Sequence, residues 1–170
     1  MSLAVEVISD VICPWCYIGK RRLEKAIAGL GDQHDVQVHW HPFQLNPTMP
    51  KEGIRRKEYR TRKFGSWEHS NELDANVIAV GETEGIRFAF DKMERTPNTV
   101  DAHRFIWLAD QHGCQDAVVE ALFRAYFTEG KDIGNQQTLI DVVTASGLDR
   151  QFAETMLNSE AGLDVIAQAG

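Results

Sequence analysis

The tetrapeptide Cys13-Pro14-Trp15-Cys16 sits where an alternating apolar run gives way to a helical pattern, and no other feature restricts the fold of this chain as tightly. Residues 3–9 alternate and are rich in Val and Ile, with Val5 and Val7 on one face and Glu6 and Ile8 on the other, which reads as a strand. From Cys13 the period changes. Cys16, Leu23, Ile27 and Leu30 recur at helical intervals, Lys20, Arg21, Arg22, Glu24 and Lys25 take the opposite, solvated side, and Gly29 and Gly31 end the segment. Residues 36–41 alternate again as a second strand, halted by Pro42 and by a loop carrying Pro47 and Pro50. Strand, helix and strand in this order predict a βαβ unit with parallel strands.

Two thiols at this spacing, at a strand-to-helix junction, point to a dithiol/disulfide redox site. One helical turn brings the side chains together, and the unpaired amides and dipole of a helix start favour a thiolate at its first residue. Cys13 is therefore the expected nucleophile and Cys16 its resolving partner. Pro14 suits the first helical position, where its missing N–H has no intrahelical acceptor to lose. With Trp15 it forms the dipeptide that tunes the thiolate. Two other readings of the pair stay open: half of a zinc site, which Cys114 alone does not complete, or two small buried hydrophobes.

Beyond Pro50 the pattern is helical, over residues 55–64, 66–84, 98–112, 115–129, 135–145 and 149–158, with a short extended piece at 86–90 and a further helix entered at Gly162. A chain of 170 residues with 43% hydrophobic content and four Trp supports one well-filled core. A formal charge of −7 argues against a nucleic-acid surface, which needs a basic face. The first residues show no signal-peptide pattern, and nowhere do about 18 apolar residues run together, so a cytoplasmic protein without a membrane span is expected. Three cysteines do not make a disulfide framework. Cys114 reads as a structural thiol. His39 and His41 share a strand face as a metal pair would, but without a third ligand they read as solvated histidines, and no metal is expected. Glu6 is a candidate proton relay to Cys16 if its side chain faces the helix. The stretch with Lys51, Arg55, Arg56, Lys57, Arg60, Arg62 and Lys63 reads as a solvated helix interspersed with Glu52 and Glu58; docking of anionic thiols such as glutathione is the alternative.

The CPWC after the first strand, the run Trp40-His41-Pro42-Phe43-Gln44-Leu45-Asn46-Pro47 at the end of the second, and Asn98-Thr99 with Ala102-His103-Arg104 on a later helix together resemble the DsbA-like thioredoxin-fold proteins of the FrnE type. The resemblance runs from Val5 to the end of the chain. It implies an α/β fold in which a thioredoxin-like βαβ half (residues 1–50) receives a large all-helical insertion (51–158), and residues 159–170 start the helix returning to the core. It also implies thiol:disulfide oxidoreductase activity at Cys13 and Cys16. Phe43, Asn46 and Pro47 are then candidates to line the substrate site, the partners are protein or small-molecule thiols and disulfides, and no cofactor is required beyond glutathione as a redox partner or substrate. Related families, the 2-hydroxychromene-2-carboxylate isomerases and kappa-class glutathione transferases, carry serine where this chain has Cys13. A glutathione-dependent isomerase or transferase is the second reading, and a redox-inactive interaction module built on the helical insertion the third.

The chain departs from that pattern after Pro97, where no further proline occurs to supply the family's cis-proline and no hairpin follows. A truncated chain lacking the C-terminal ββα part of the core is therefore expected, or else a homo-oligomer that completes its sheet through a partner subunit.

Overall fold

The computed structural model describes residues 1–169, and its elements change type where the sequence changes period. Strand β1 (Ser2–Ser9) leads through a tight turn into helix α1 (Pro14–Leu30), and the chain returns as strand β2 (Asp35–Pro42). The strands pair in parallel over their whole length, from Ser2 opposite Asp35 to Ser9 opposite Pro42, as a helical crossover requires.

The outer edge of β2 meets a side chain at its centre. Gln115 accepts from Trp40 N–H at 2.9 Å and donates to Trp40 C=O at 3.1 Å, so a single carboxamide satisfies both backbone groups of one residue as a neighbouring strand would.

Helices α2 (Arg56–Phe64) and α3 (Trp67–Thr83) follow the loop after β2, and then come α4 (Val100–Gln111), α5 (Gln115–Phe127), α6 (Gln136–Ala145), α7 (Arg150–Leu157) and α8 (Leu163–Gln168). Three of these helices carry side-chain caps. The Ser66 hydroxyl accepts from His69 N–H, the Asn135 carbonyl from Thr138 N–H, and the Asp149 carboxylate from Gln151 N–H, each filling an otherwise orphaned donor. Helix α8 packs on α4, with Ile166 buried; Gly170 lies outside the described residues.

The core joins the βαβ unit to the helices without a break. Tyr17, one residue past the CPWC, stacks on Phe123 with centroids 4.9 Å apart, and Phe123 and Phe127 of α5 pack in turn against Trp40 and Phe88. Phe105, Leu122, Phe123 and Leu139 are fully enclosed. An aromatic pair of this kind adds about 0.5–1.5 kcal/mol beyond the area it buries, so the Tyr17–Phe123 contact helps hold α1 against α5.

Four expectations are corrected. Lys20 is not on a solvated face: it is 3% exposed, its ammonium 2.9 Å from Glu120 of α5, with Glu24 and Asp116 close by. A helical wheel cannot show that α5 presents carboxylates there. Arg56 is likewise 5% exposed and not part of a solvated helix, because Asp74 of α3 receives it. Residues 86–90 form no strand; Ile86 and Phe88 enter the core from irregular backbone and Phe90 from the start of a short 3₁₀ turn, Phe90–Lys92. Finally, the region beyond Pro50 is not wholly helical. Two-residue strands β3 (Ile54–Arg55) and β4 (Arg95–Thr96) pair antiparallel and tie the start of α2 to the segment before α4. No helix among the described residues is long and apolar enough to cross a membrane.

Candidate active site

Cys13 is the N-cap of α1 in extended backbone (φ −92°, ψ 111°), with Pro14 beginning the helix. The Cys13 N–H donates back to Asp10 C=O at 3.0 Å, and Cys13 C=O accepts from Cys16 N–H at 3.1 Å. The turn therefore places the Cys13 side chain at the N-terminus of α1. Both thiols are free and half-buried, and Trp15 stands 46% exposed between them.

The two thiols differ in chemistry. The hydrogen bond donated by the Cys16 thiol, helped by the backbone amides of Cys16 and Trp15, outweighs burial and the charge of Asp10 and lowers Cys13 to about 7. Donating that bond, and then burial, push Cys16 far above the ordinary thiol range. The shifts run in opposite directions, Cys13 toward the thiolate and Cys16 toward the thiol.

Cys13 opens on a cleft of about 310 Å³. Ile12, Pro14 and Trp15 form one wall; Leu45 and Asn46, from the loop after β2, form the second; Tyr59, Lys63, Phe64 and Leu73 of α2 and α3 form the third. The Tyr59 hydroxyl donates to Asn46 Oδ1 at 2.6 Å and pins loop to helix. Of the three loop residues singled out from the sequence, Asn46 reaches the cleft, whereas Phe43 and Pro47 are exposed and are not among its walls.

The cleft is electropositive. Arg56 and Arg60 share one carboxylate, Asp74, at 2.6 and 2.7 Å, and burial lowers the Arg60 guanidinium from its ordinary value. Lys63 has no carboxylate partner among the described residues; its ammonium lies over the Tyr59 and Phe64 rings and 3.3 Å from the Tyr59 hydroxyl. Three cations against one anion leave two formal positive charges beside Cys13 on a chain of net charge −7.

Two residues under the CPWC were not singled out for a role from sequence. Asp10, in the turn after β1, and His103 of α4 are both buried, with Asp10 Oδ1 3.0 Å from His103 Nε2. His103 belongs to the Ala102-His103-Arg104 run, but its partner lies 93 positions earlier in the chain, so no local pattern links them. Glu6 does not face the helix. It is an exposed residue whose carboxylate bonds His41, so it is not the relay to Cys16. His39 pairs with Asp110 at 3.8 Å on the same exposed side. No group of three His, Cys, Asp or Glu among the described residues is placed to hold a metal ion. Cys114 is the N-cap of α5 and, without such stabilisation, is pushed up by burial.

A dithiol at a helix start, a crossover between parallel strands and helices lodged beyond the second strand define a thioredoxin-type architecture. The chain belongs to the DSBA-like thioredoxin domain family, whose model matches residues 4–169. A probable DsbA oxidoreductase from Streptomyces coelicolor is 29% identical, with a TM-score of 0.86 over 98% of this chain and 72% of its own. The 2-hydroxychromene-2-carboxylate isomerase structure superposes with a TM-score of 0.71 at 16% identity, covering 98% of this chain and 76% of that one. The cytosolic disulfide reductase DsbM from Pseudomonas aeruginosa, solved with GSH, gives 0.65 at 18% identity over 98% and 75%. The expected fold, a DsbA-like thioredoxin domain with a helical insertion, is the one observed.

Proposed function

We propose that this protein is a thiol:disulfide oxidoreductase of the FrnE type, working through a mixed disulfide at Cys13 that Cys16 resolves. The observation that carries the reading is the placement of the two free thiols: Cys13 caps α1 and lines the cleft, and Cys16 stands one turn on and outside the lining, with Cys13 shifted downward and Cys16 upward. The Cys13 thiolate attacks one sulfur of a substrate disulfide, forming a new S–S bond while the other substrate sulfur leaves as a thiolate. Cys16 then gives up its proton and attacks the Cys13 sulfur. The second substrate thiolate departs, leaving the Cys13–Cys16 disulfide, and two electrons have passed from protein to substrate. Run backwards, the same steps oxidise a dithiol. None of them requires a metal or an organic cofactor.

The partners are thiols and disulfides, and the two unneutralised positive charges favour an anionic one. Glutathione or a related small acidic thiol fits a cleft of about 310 Å³ better than a folded protein segment does. A cytoplasmic setting, where such thiols are abundant and reduced, agrees with this reading.

The test is thiol trapping. Cys16→Ser should accumulate mixed disulfides with glutathione and with dithionitrobenzoate, and Cys13→Ser should form none. The reverse pattern would sink the assignment of roles. Glutathione-dependent isomerisation of a small aromatic substrate, with no disulfide exchange, would favour the isomerase reading instead.

A further inference from the structure

The least accessible charged contact near the redox site joins it to the helical region. Asp10 is 1% exposed and His103 2%, and their side chains meet at 3.0 Å between a turn of the βαβ unit and α4. Asp10 serves three elements at once. Its backbone carbonyl accepts from Cys13 N–H at 3.0 Å, its Oδ2 accepts from Leu45 N–H at 2.9 Å in the cleft-lining loop, and its Oδ1 takes the His103 bond. One residue therefore sets the turn that presents Cys13 and the loop that faces it.

The imidazole has a single partner among the described residues. His103 Nδ1 is buried with no hydrogen bond, whereas Nε2 must carry a proton to donate to the carboxylate. The Asp10 carboxylate lies beneath the thiols, and its charge pushes Cys13, Cys16 and the buried Tyr126 of α5 upward.

We propose that His103 is a positioning residue of the redox site: by holding the Asp10 carboxylate it sets the poise of the Cys13–Cys16 couple and seats the 43–47 loop from within the helical region. This rests on the redox reading above, and it goes beyond that reading by assigning to the insertion a part in the thiol chemistry.

The direction of the effect follows from the charge. With His103→Leu, Asp10 keeps only the Leu45 N–H on Oδ2 and its buried Oδ1 faces an apolar side chain, which favours the neutral acid over the carboxylate. The negative charge under the thiols is lost, the Cys13 thiolate becomes easier to form and the reduced state gains stability relative to the disulfide. Asp10→Asn removes the same charge directly. His103→Gln keeps an N–H donor near the Nε2 position and should behave like the parent.

The experiment measures, on each variant, the Cys13 thiolate fraction against pH by thiolate absorbance and the Cys13–Cys16 equilibrium in glutathione buffers. Removing a nearby unit charge from a half-buried site is expected to lower the Cys13 midpoint by about half to one unit, raising the thiolate fraction at pH 6 roughly three- to five-fold. The glutathione equilibrium should move about three- to ten-fold toward the dithiol, where tenfold corresponds to about 30 mV. The double variant Asp10→Asn/His103→Leu should move no further than either single one, because both remove one charge. Lower melting temperatures with thiolate profile and equilibrium unchanged within twofold would mean a purely structural contact and would overturn the proposal. If His103→Leu fails to fold, Asp10→Asn and His103→Gln decide by the same readouts. The thiolate profile needs only the reduced protein. A parent chain that never forms the Cys13–Cys16 bond would therefore count against the redox reading, while an unmoved thiolate profile would count against the part played by His103.

Discussion

Replacing Cys16 with alanine deletes the hydrogen bond that does most to hold Cys13 as a thiolate. What remains is a balance. The backbone amides of Cys16 and Trp15 still favour the anion, while burial and the charge of Asp10 oppose it. With the largest favourable contribution gone, the Cys13 midpoint should climb from about 7 into the ordinary thiol range. In the parent at pH 7 about half of Cys13 is thiolate; with a midpoint near 8.5 the fraction falls to about 3%, a loss on the order of fifteen-fold. The measurement is thiolate absorbance against pH on the reduced protein, with Cys13→Ser as the blank. Alkylation rates alone would understate the change, because a thiolate of higher pKa is the stronger nucleophile and recovers part of the lost rate. Cys16→Ser, which keeps a hydroxyl donor, should fall between parent and alanine variant. A Cys16→Ala profile still centred near 7 would refute the reasoning, since the helix start alone would then account for the acidity of Cys13.

Three further perturbations test the surroundings of the site. Asp74→Asn leaves the buried Arg56 and the half-buried Arg60 facing each other without a counter-charge; a loss of about 3 kcal/mol in urea unfolding is expected, and less than 1 kcal/mol would contradict the picture of a shared ion triad. Burial pushes Glu120 up, but hydrogen bonds from Arg21 and Lys20 outweigh it and hold the carboxyl at about 2. Because the folded value lies below the unfolded one near 4.3, this contribution is complete above about pH 4.3 and is lost as pH falls toward 2, so Glu120→Gln should be less stable than the parent by up to about 3 kcal/mol at pH 6, with the gap closing by pH 2 in a melting series. Lys63→Glu should raise KM for an anionic disulfide such as oxidised glutathione by about tenfold while leaving a cationic disulfide little changed, and equal effects on both would show that the charge of the cleft does not select substrates.

The first third of the chain was legible because its signals are local. Alternation, a period change at Cys13, glycine stops and a strand-ending proline are facts about neighbours within a few positions, and the parallel βαβ unit follows from them. The later helices were legible for the same reason, their ends written in residues such as Ser66, Asn135 and Asp149. Cys13, Pro14, Trp15 and Cys16 were named because their chemistry is carried by spacing alone.

What sequence left undetermined was every property that depends on a partner distant along the chain. Lys20 looked solvated until α5 brought Glu120 to it, Arg56 until α3 supplied Asp74, and β2 seemed to have an open edge until Gln115 closed it at Trp40. Glu6 was a candidate relay on condition that it faced the helix, whereas the carboxylate packed beneath the CPWC is that of Asp10, whose partner His103 lies 93 residues along the chain. The spacing of two cysteines determines by itself that a redox pair can form, because covalent geometry and one helical turn set their distance. The charge of its cleft and the buried carboxylate beneath it were decided only by the tertiary structure, because electrostatic energies depend on distance and burial in space, which separation along the chain does not encode.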